Sequence, residues 1–160
     1  MFPPNTAPNA AHAGDPPLFH TVAVNQRVAL RAWPLVQSSC PSTQLEDWRA
    51  YTAALNRGAG KSAGLVAVED ERGYIHALFA WHIHRAIGRP RALRITDLVV
   101  GSLPGRELAQ SIVIAIRRVA EATRADSVMV EIGDRQLAPD ALLSDGFERL
   151  VMDCMRSPRG

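Results

Sequence analysis

Lysine is almost missing from this 160-residue chain: of eighteen basic residues only Lys61 is a lysine, and the rest are arginine. Arginine stays charged when partly buried and grips carboxylates or phosphates through a planar fork, although a GC-rich coding sequence explains most of the bias. Cysteine is scarce as well. Cys40 and Cys154 show no C-x-x-C spacing and cannot make a disulfide framework, so both read as reduced small hydrophobes. No apolar run approaches the roughly 18–20 residues that cross a bilayer. The opening residues, MFPPNTAPNAAHAGDPP, lack the basic start and apolar stretch of a secretory signal. The net charge is only +2, too little for a dedicated nucleic-acid binder. The expectation is a cytoplasmic protein with neither nucleic acid nor membrane among its partners.

What is present is the makeup of a globular domain, 47% hydrophobic and 21% charged, at a length that suits one core. Five of the eleven prolines fall within residues 1–17, so that segment reads as a flexible tail. Residues 18–156 then form a single domain, with 157–160 as a C-terminal tail. Residues 20–24 read as a strand. A helix is expected over 25–39, kinked or restarted at Pro34. A second opens at a Thr43-x-x-Glu46 capping box and ends in the glycines of NRGAGKSAG. That glycine run is no P-loop, because its first glycine would fall at Leu55.

The strands LVAVED and YIHALFAWHIH flank a DERG turn, and LRITDLVV follows. Leu108, Ile112, Ile116 and Val119 line one side of an amphipathic helix over 106–124. SVMVEI reads as a buried strand, LAPDALLSDG as a short helix and FERLVMDCM as a last strand. The fold class is therefore α/β, a mixed sheet with helices on its faces. His76, His82 and His84 share parity on one strand, which alternation places on one face. His82-x-His84 has no third ligand at fixed spacing, so no metal is expected.

This element order, with several residues inside it, resembles the GNAT acyltransferase superfamily over roughly residues 18–156. In that family a strand ending in a valine pair leads through an R-G-x-G-x-G/A loop into a long helix. The exposed N–H groups of that helix hold the pyrophosphate of coenzyme A. Here the strand is Asp97-Leu98-Val99-Val100, the loop runs from Gly101 to Gly105, and the helix follows at once. Gly105 and Ala109 fall on the second and last motif positions, Pro104 on the Arg or Gln position, and Glu107 on the middle glycine. A second signature of the family is matched by Ala138, Gly146 and Phe147. Arg135 takes its Asn position. Leu142 takes that of the Tyr that commonly protonates the departing thiolate, leaving Ser144 and Cys154 as stand-ins.

The resemblance implies a GNAT-like mixed, mostly antiparallel central sheet flanked by helices. It also implies an N-acetyltransferase that carries an acetyl group from acetyl-coenzyme A to an amine, small molecule or protein, by direct attack. Val99, Val100, Gly105, Arg106, Glu107, Leu108, Ala109 and Gln110 would hold the co-substrate, with a backbone N–H of Val99 or Val100 on the thioester carbonyl. Asp97, the only acid between Glu71 and Glu107, is the first candidate for the base and Glu131 the second. The other reading of Asp97 pairs it with Arg94. A carboxylate at Glu107 would repel a pyrophosphate, which supports a second reading: a catalytically degenerate GNAT-fold protein that binds a ligand or a protein. Arginines 72, 85, 89, 91, 94 and 106 stand against Asp97 alone, a basic stretch on the expected coenzyme side. A single last strand, where the family often has two, leaves an edge for a homodimer.

Overall fold

The structure is a computed structural model that describes residues 18–58, 62–101 and 105–131. The expected short helix and last strand, the second signature (Arg135, Ala138, Leu142, Gly146, Phe147), Ser144, Cys154, Pro104 and both tails lie outside the described residues. The elements run β1 (Phe19–Ala23), α1 (Gln26–Ser39), α2 (Leu45–Arg57), β2 (Ala63–Asp70), β3 (Ile75–Ala86), β4 (Arg89–Val100), α3 (Arg106–Thr123) and β5 (Ser127–Val130).

Asn25 starts α1 by accepting the Val28 N–H on its side chain at 3.0 Å. The helix then runs without interruption through Pro34, where a kink or restart is the sequence expectation. Proline removes one ladder donor, and the buried positions Val28, Ala29, Ala32 and Val36 hold the helix against the sheet on either side of it. The α2 capping box sits one residue later than expected. Gln44 is the N-cap, and its N–H donates to Asp47 Oδ2 at 3.4 Å.

The sheet order is β1-β2-β3-β4-β5, antiparallel through β4, with β5 parallel to β4. This is a mixed, mostly antiparallel sheet flanked by helices, a GNAT-like fold. One face packs on α3, where Phe79, Leu93, Ile95 and Leu98 meet Leu108, Ile112 and Ile116. The other packs on α1 and α2, where Leu65, Leu78, Ala80 and Val99 meet Val28, Ala32 and Trp48. No helix among the described residues is long and apolar enough to cross a membrane.

Three register shifts break the alternation of the sheet, one of them between His84 and Ala86 near the hairpin tip. Between β2 and β3, Val68 faces Ala77 but Glu69 faces Ile75, so His76 is the extra residue. Between β3 and β4, Leu78 faces Val99 but Ala80 faces Thr96, so Asp97 and Leu98 stand opposite Phe79 alone. A bulge reverses side-chain parity and bends its strand. Leu93 and Ile95 face α3 at odd positions, whereas after the bulge Leu98 faces α3 and Val99 faces α1 and α2.

Candidate functional site

Asp97 adopts the left-handed conformation, with φ of +49°. Aspartate tolerates that region better than most residues, yet it carries strain that the surroundings must offset. The offset comes from α2: the Tyr51 hydroxyl donates to Asp97 Oδ2 at 2.6 Å. Tyr51 is held in turn by Trp48, whose ring stacks on it at 5.9 Å and whose Nε1–H donates to the Ala29 carbonyl at 2.8 Å. Burial, then the Asp97 hydrogen bond, push the Tyr51 phenol far above its usual range, so it stays protonated and remains a donor.

The bulge at Asp97 also ends the pairing of β4 with β5. The two strands match from Ala92–Ile95 to Ser127–Val130, and a last bond runs from Glu131 N–H to the Ile95 carbonyl at 3.0 Å. From Thr96 to Val100 no strand pairs with β4 on that side among the described residues. Backbone direction can be followed across the bulge. The carbonyls of Arg91 and Ile95 point to the β5 side, accepting from Asp126 and Glu131, whereas Gly101 N–H points to β3 and donates to His76 at 2.7 Å. The peptide groups of Leu98 and Val100 therefore face the open side and those of Val99 face β3. Of the two valines proposed for the thioester carbonyl, Val99 is turned away and Val100 is on the edge, together with Leu98.

Helix α3 starts just beyond this edge. Gly105 is its N-cap and makes no side-chain cap bond. The first ladder bond runs from Ala109 N–H to the Gly105 carbonyl at 3.2 Å, so the N–H groups of Arg106, Glu107 and Leu108 precede the ladder. Arg106, Glu107 and Gln110 are exposed and Ala109 is half-buried. Leu108 is 2% exposed, its side chain committed to the core, so only its backbone is left for a ligand.

The second expected acid, Glu131, lies on the same sheet face as Asp97's partner Tyr51 but is already engaged. It forms an ion pair with Arg94, which donates through Nε and Nη2. The alternative pairing of Asp97 with Arg94 is thus not the one the structure makes. His82 stands directly across from Arg94 in the β3–β4 register. Burial first, then the Arg94 charge, lower its pKa, while Glu131 and Asp97 act in the opposite sense. His76 does not share this face. The bulge sets it apart, with its ring edge-on to Phe19 at 5.4 Å and its Nε2 2.9 Å from Asp70 Oδ2. Among the described residues no group of three His, Cys, Asp or Glu could hold a metal.

The structure therefore brings Asp97, Glu131, Arg94 and His82 to one side of the β4–β5 divergence, and it adds Tyr51. The only trace of Tyr51 in the sequence is its place three residues after Trp48, which puts a hydroxyl beside the buried stripe of α2, where it needs a partner.

No protein-family model matches the chain, and no curated protein matches it in sequence. Solved structures do match. A glucosamine-6-phosphate N-acetyltransferase from Arabidopsis thaliana is 16% identical with a TM-score of 0.65, over 88% of this chain and 97% of that one. The aminoglycoside N-acetyltransferase AAC(6')-Iy, bound to a bisubstrate analogue of coenzyme A, is 11% identical with a TM-score of 0.68, over 89% and 99%. A putative acetyltransferase from Agrobacterium tumefaciens is 19% identical with a TM-score of 0.64, over 86% and 99%.

Proposed function

Because the chain has the GNAT acetyltransferase fold, we propose that it transfers an acetyl group from acetyl-coenzyme A to a primary amine. The observation that carries this reading is the bulge at Asp97. In one step it opens the β4 edge at Leu98 and Val100 and sets a Tyr51-anchored carboxylate beside that edge. The open N–H groups are donors for a thioester carbonyl, whose oxygen gains negative charge as the amine attacks. The unpaired N–H groups at the start of α3, with Arg106, would hold the pyrophosphate. Asp97 supplies the negative charge that draws an ammonium to the opening. Glu131 stays with Arg94 and shapes the wall.

Glu107 favours a second reading, binding without transfer, because its charge lies in the first turn of α3 where the phosphates would sit. Calorimetric titration with acetyl-coenzyme A, followed by thiol release with glucosamine 6-phosphate, neamine and an alanine-ended peptide, separates the two. Binding with thiol release supports transfer, and binding without release supports the second reading. No binding at millimolar acetyl-coenzyme A removes the first.

A further inference from the structure

Asp70 ends β2 and uses both carboxylate oxygens in the turn to β3. Its Oδ1 accepts the Arg72 N–H at 2.9 Å and the Tyr74 N–H at 3.0 Å, and its Oδ2 lies 2.9 Å from Nε2 of His76. The His76 bond is the largest influence on this carboxyl and lowers its pKa; burial opposes it and the two backbone bonds reinforce it. An ionised carboxylate only accepts, so Nε2 is the ring nitrogen that carries the hydrogen. The turn itself does not need this bond. It is already closed by Asp70 N–H on the Tyr74 carbonyl at 3.0 Å and Gly73 N–H on the Asp70 carbonyl at 2.9 Å. What the His76 bond adds is a fixed place for the bulged residue, whose ring is also braced edge-on by Phe19 of β1 at 5.4 Å.

We propose that His76, tied through its ring to Asp70, is a positioning residue for the coenzyme: it sets the point at which β4 leaves the sheet for α3. The assignment rests on the acetyltransferase reading above. As the extra residue of its bulge, His76 has no partner in the β2 register, and its backbone serves β4 instead. Its carbonyl accepts the Gly101 N–H at 2.7 Å, the last bond that β3 makes to β4 before the connection to α3. One residue is thus anchored by its side chain to β2 and by its backbone to the end of β4.

Gly101 and Gly105 are four residues apart, so they lie at most ~14 Å from each other. The far end is fixed by Leu108, which is committed to the core. The near end is fixed at Gly101, which sits so close to β3 and α1 that an added Cβ would lie 3.2 Å from the His76 carbonyl oxygen and 3.8 Å from Leu35 Cδ1. The N–H groups that precede the α3 ladder are aimed by both ends. Hydrogen bonds to a phosphate weaken steeply with distance and angle, so loosening the near end costs coenzyme affinity without touching the coenzyme.

The test uses His76→Leu, His76→Gln and Gly101→Ala in the full chain. Amide hydrogen exchange at Gly101, read by NMR without ligand, comes first. It should speed up in His76→Leu and stay slow in His76→Gln, whose amide can still donate to Asp70. In calorimetry, acetyl-coenzyme A affinity should fall roughly three- to thirtyfold in His76→Leu and hold within about twofold in His76→Gln. Gly101→Ala presses on the same contact from the other side and should also weaken binding. The two losses should combine to less than their product, because both act on one bond. Gly64→Ala, at the other end of β2, is the control: it should lower the thermal midpoint and leave the affinity alone. Unchanged Gly101 exchange or unchanged affinity in His76→Leu overturns the proposal, as does an equal loss of affinity in His76→Gln or Gly64→Ala. Wild type that fails to bind acetyl-coenzyme A overturns the parent reading instead.

Discussion

At the scale of single residues the site turns on Asp97, a non-glycine residue held left-handed by a hydrogen bond from another element. Asp97 stands out in the sequence as the only acid between Glu71 and Glu107, but its left-handed backbone does not. Nor does Tyr51, because its contact with Asp97 spans 46 residues and depends on how α2 lies over the sheet. Replacing Tyr51 by Phe removes one bond to a charged acceptor and little volume. Such bonds contribute about 1.5–3 kcal/mol, so kcat/KM for an amine should fall roughly ten- to hundredfold, mainly through KM. Affinity for acetyl-coenzyme A, measured by calorimetry, should hold. An equal loss of coenzyme affinity would mean that Tyr51 acts only through the packing of α2. His82 gives a second residue-scale expectation. Its folded-state pKa is depressed, so around pH 6 the unfolded chain binds more protons than the folded one. This contribution is complete above ~6.5 and is lost as pH falls from there towards the folded-state value. Urea midpoints from pH 5 to 8 should therefore rise with pH, and His82→Gln should flatten the rise.

The sequence marks an element clearly where one period runs unbroken and poorly where it does not. The α3 stripe of Leu108, Ile112 and Ile116 recurs at helical spacing over its whole length, and the helix falls where that stripe places it. The bulges at His76 and Asp97 leave no mark in composition, because an inserted residue changes parity without changing residue type. Hence sequence parity groups His76 with His82 and His84, which it does not accompany in the fold. Gly64 is a clearer case of sequence and packing in agreement. It lies under the Trp81 indole, where an added Cβ would come within 2.7 Å of Nε1. Overpacking of this kind costs about 1–3 kcal/mol, so Gly64→Ala should lower the thermal midpoint. Glu107 sets two properties of α3 against each other. An acid in a first turn stabilises its helix by about 0.3–1 kcal/mol, while the same charge opposes a pyrophosphate. Glu107→Gln should therefore lower thermal stability slightly and tighten acetyl-coenzyme A binding. A variant that loses stability without gaining affinity would place the phosphates elsewhere.

Across the whole molecule, the basic stretch of residues 72–106 does not act as one surface. Strand β4 runs from the hairpin tip at Ile87–Gly88 to the start of α3, about 36 Å at ~3.3 Å per residue. Arg85 and Arg91 are near the tip, at the far end from the start of α3. Arg91 is committed there, donating through Nε and Nη2 to the Thr123 carbonyl at the end of α3. Arg94 is committed to Glu131. Arg106 opens α3, and Arg72, in the β2–β3 turn, is at the same end of the sheet, because Ala77 pairs with Val100. A charge sum along the sequence therefore overstates what a bound phosphate experiences, since antiparallel strands carry neighbouring arginines to opposite ends. Charge reversal makes the difference measurable. Arg106→Glu should weaken acetyl-coenzyme A by about five- to tenfold, near 1–1.4 kcal/mol, and the loss should shrink as salt is raised. Arg85→Glu changes the net charge by the same amount but should leave the affinity within about twofold, because its distance from α3's start exceeds several Debye lengths. Equal losses in both variants would mean that the field of the entire basic stretch, and not one helix start, draws the coenzyme in.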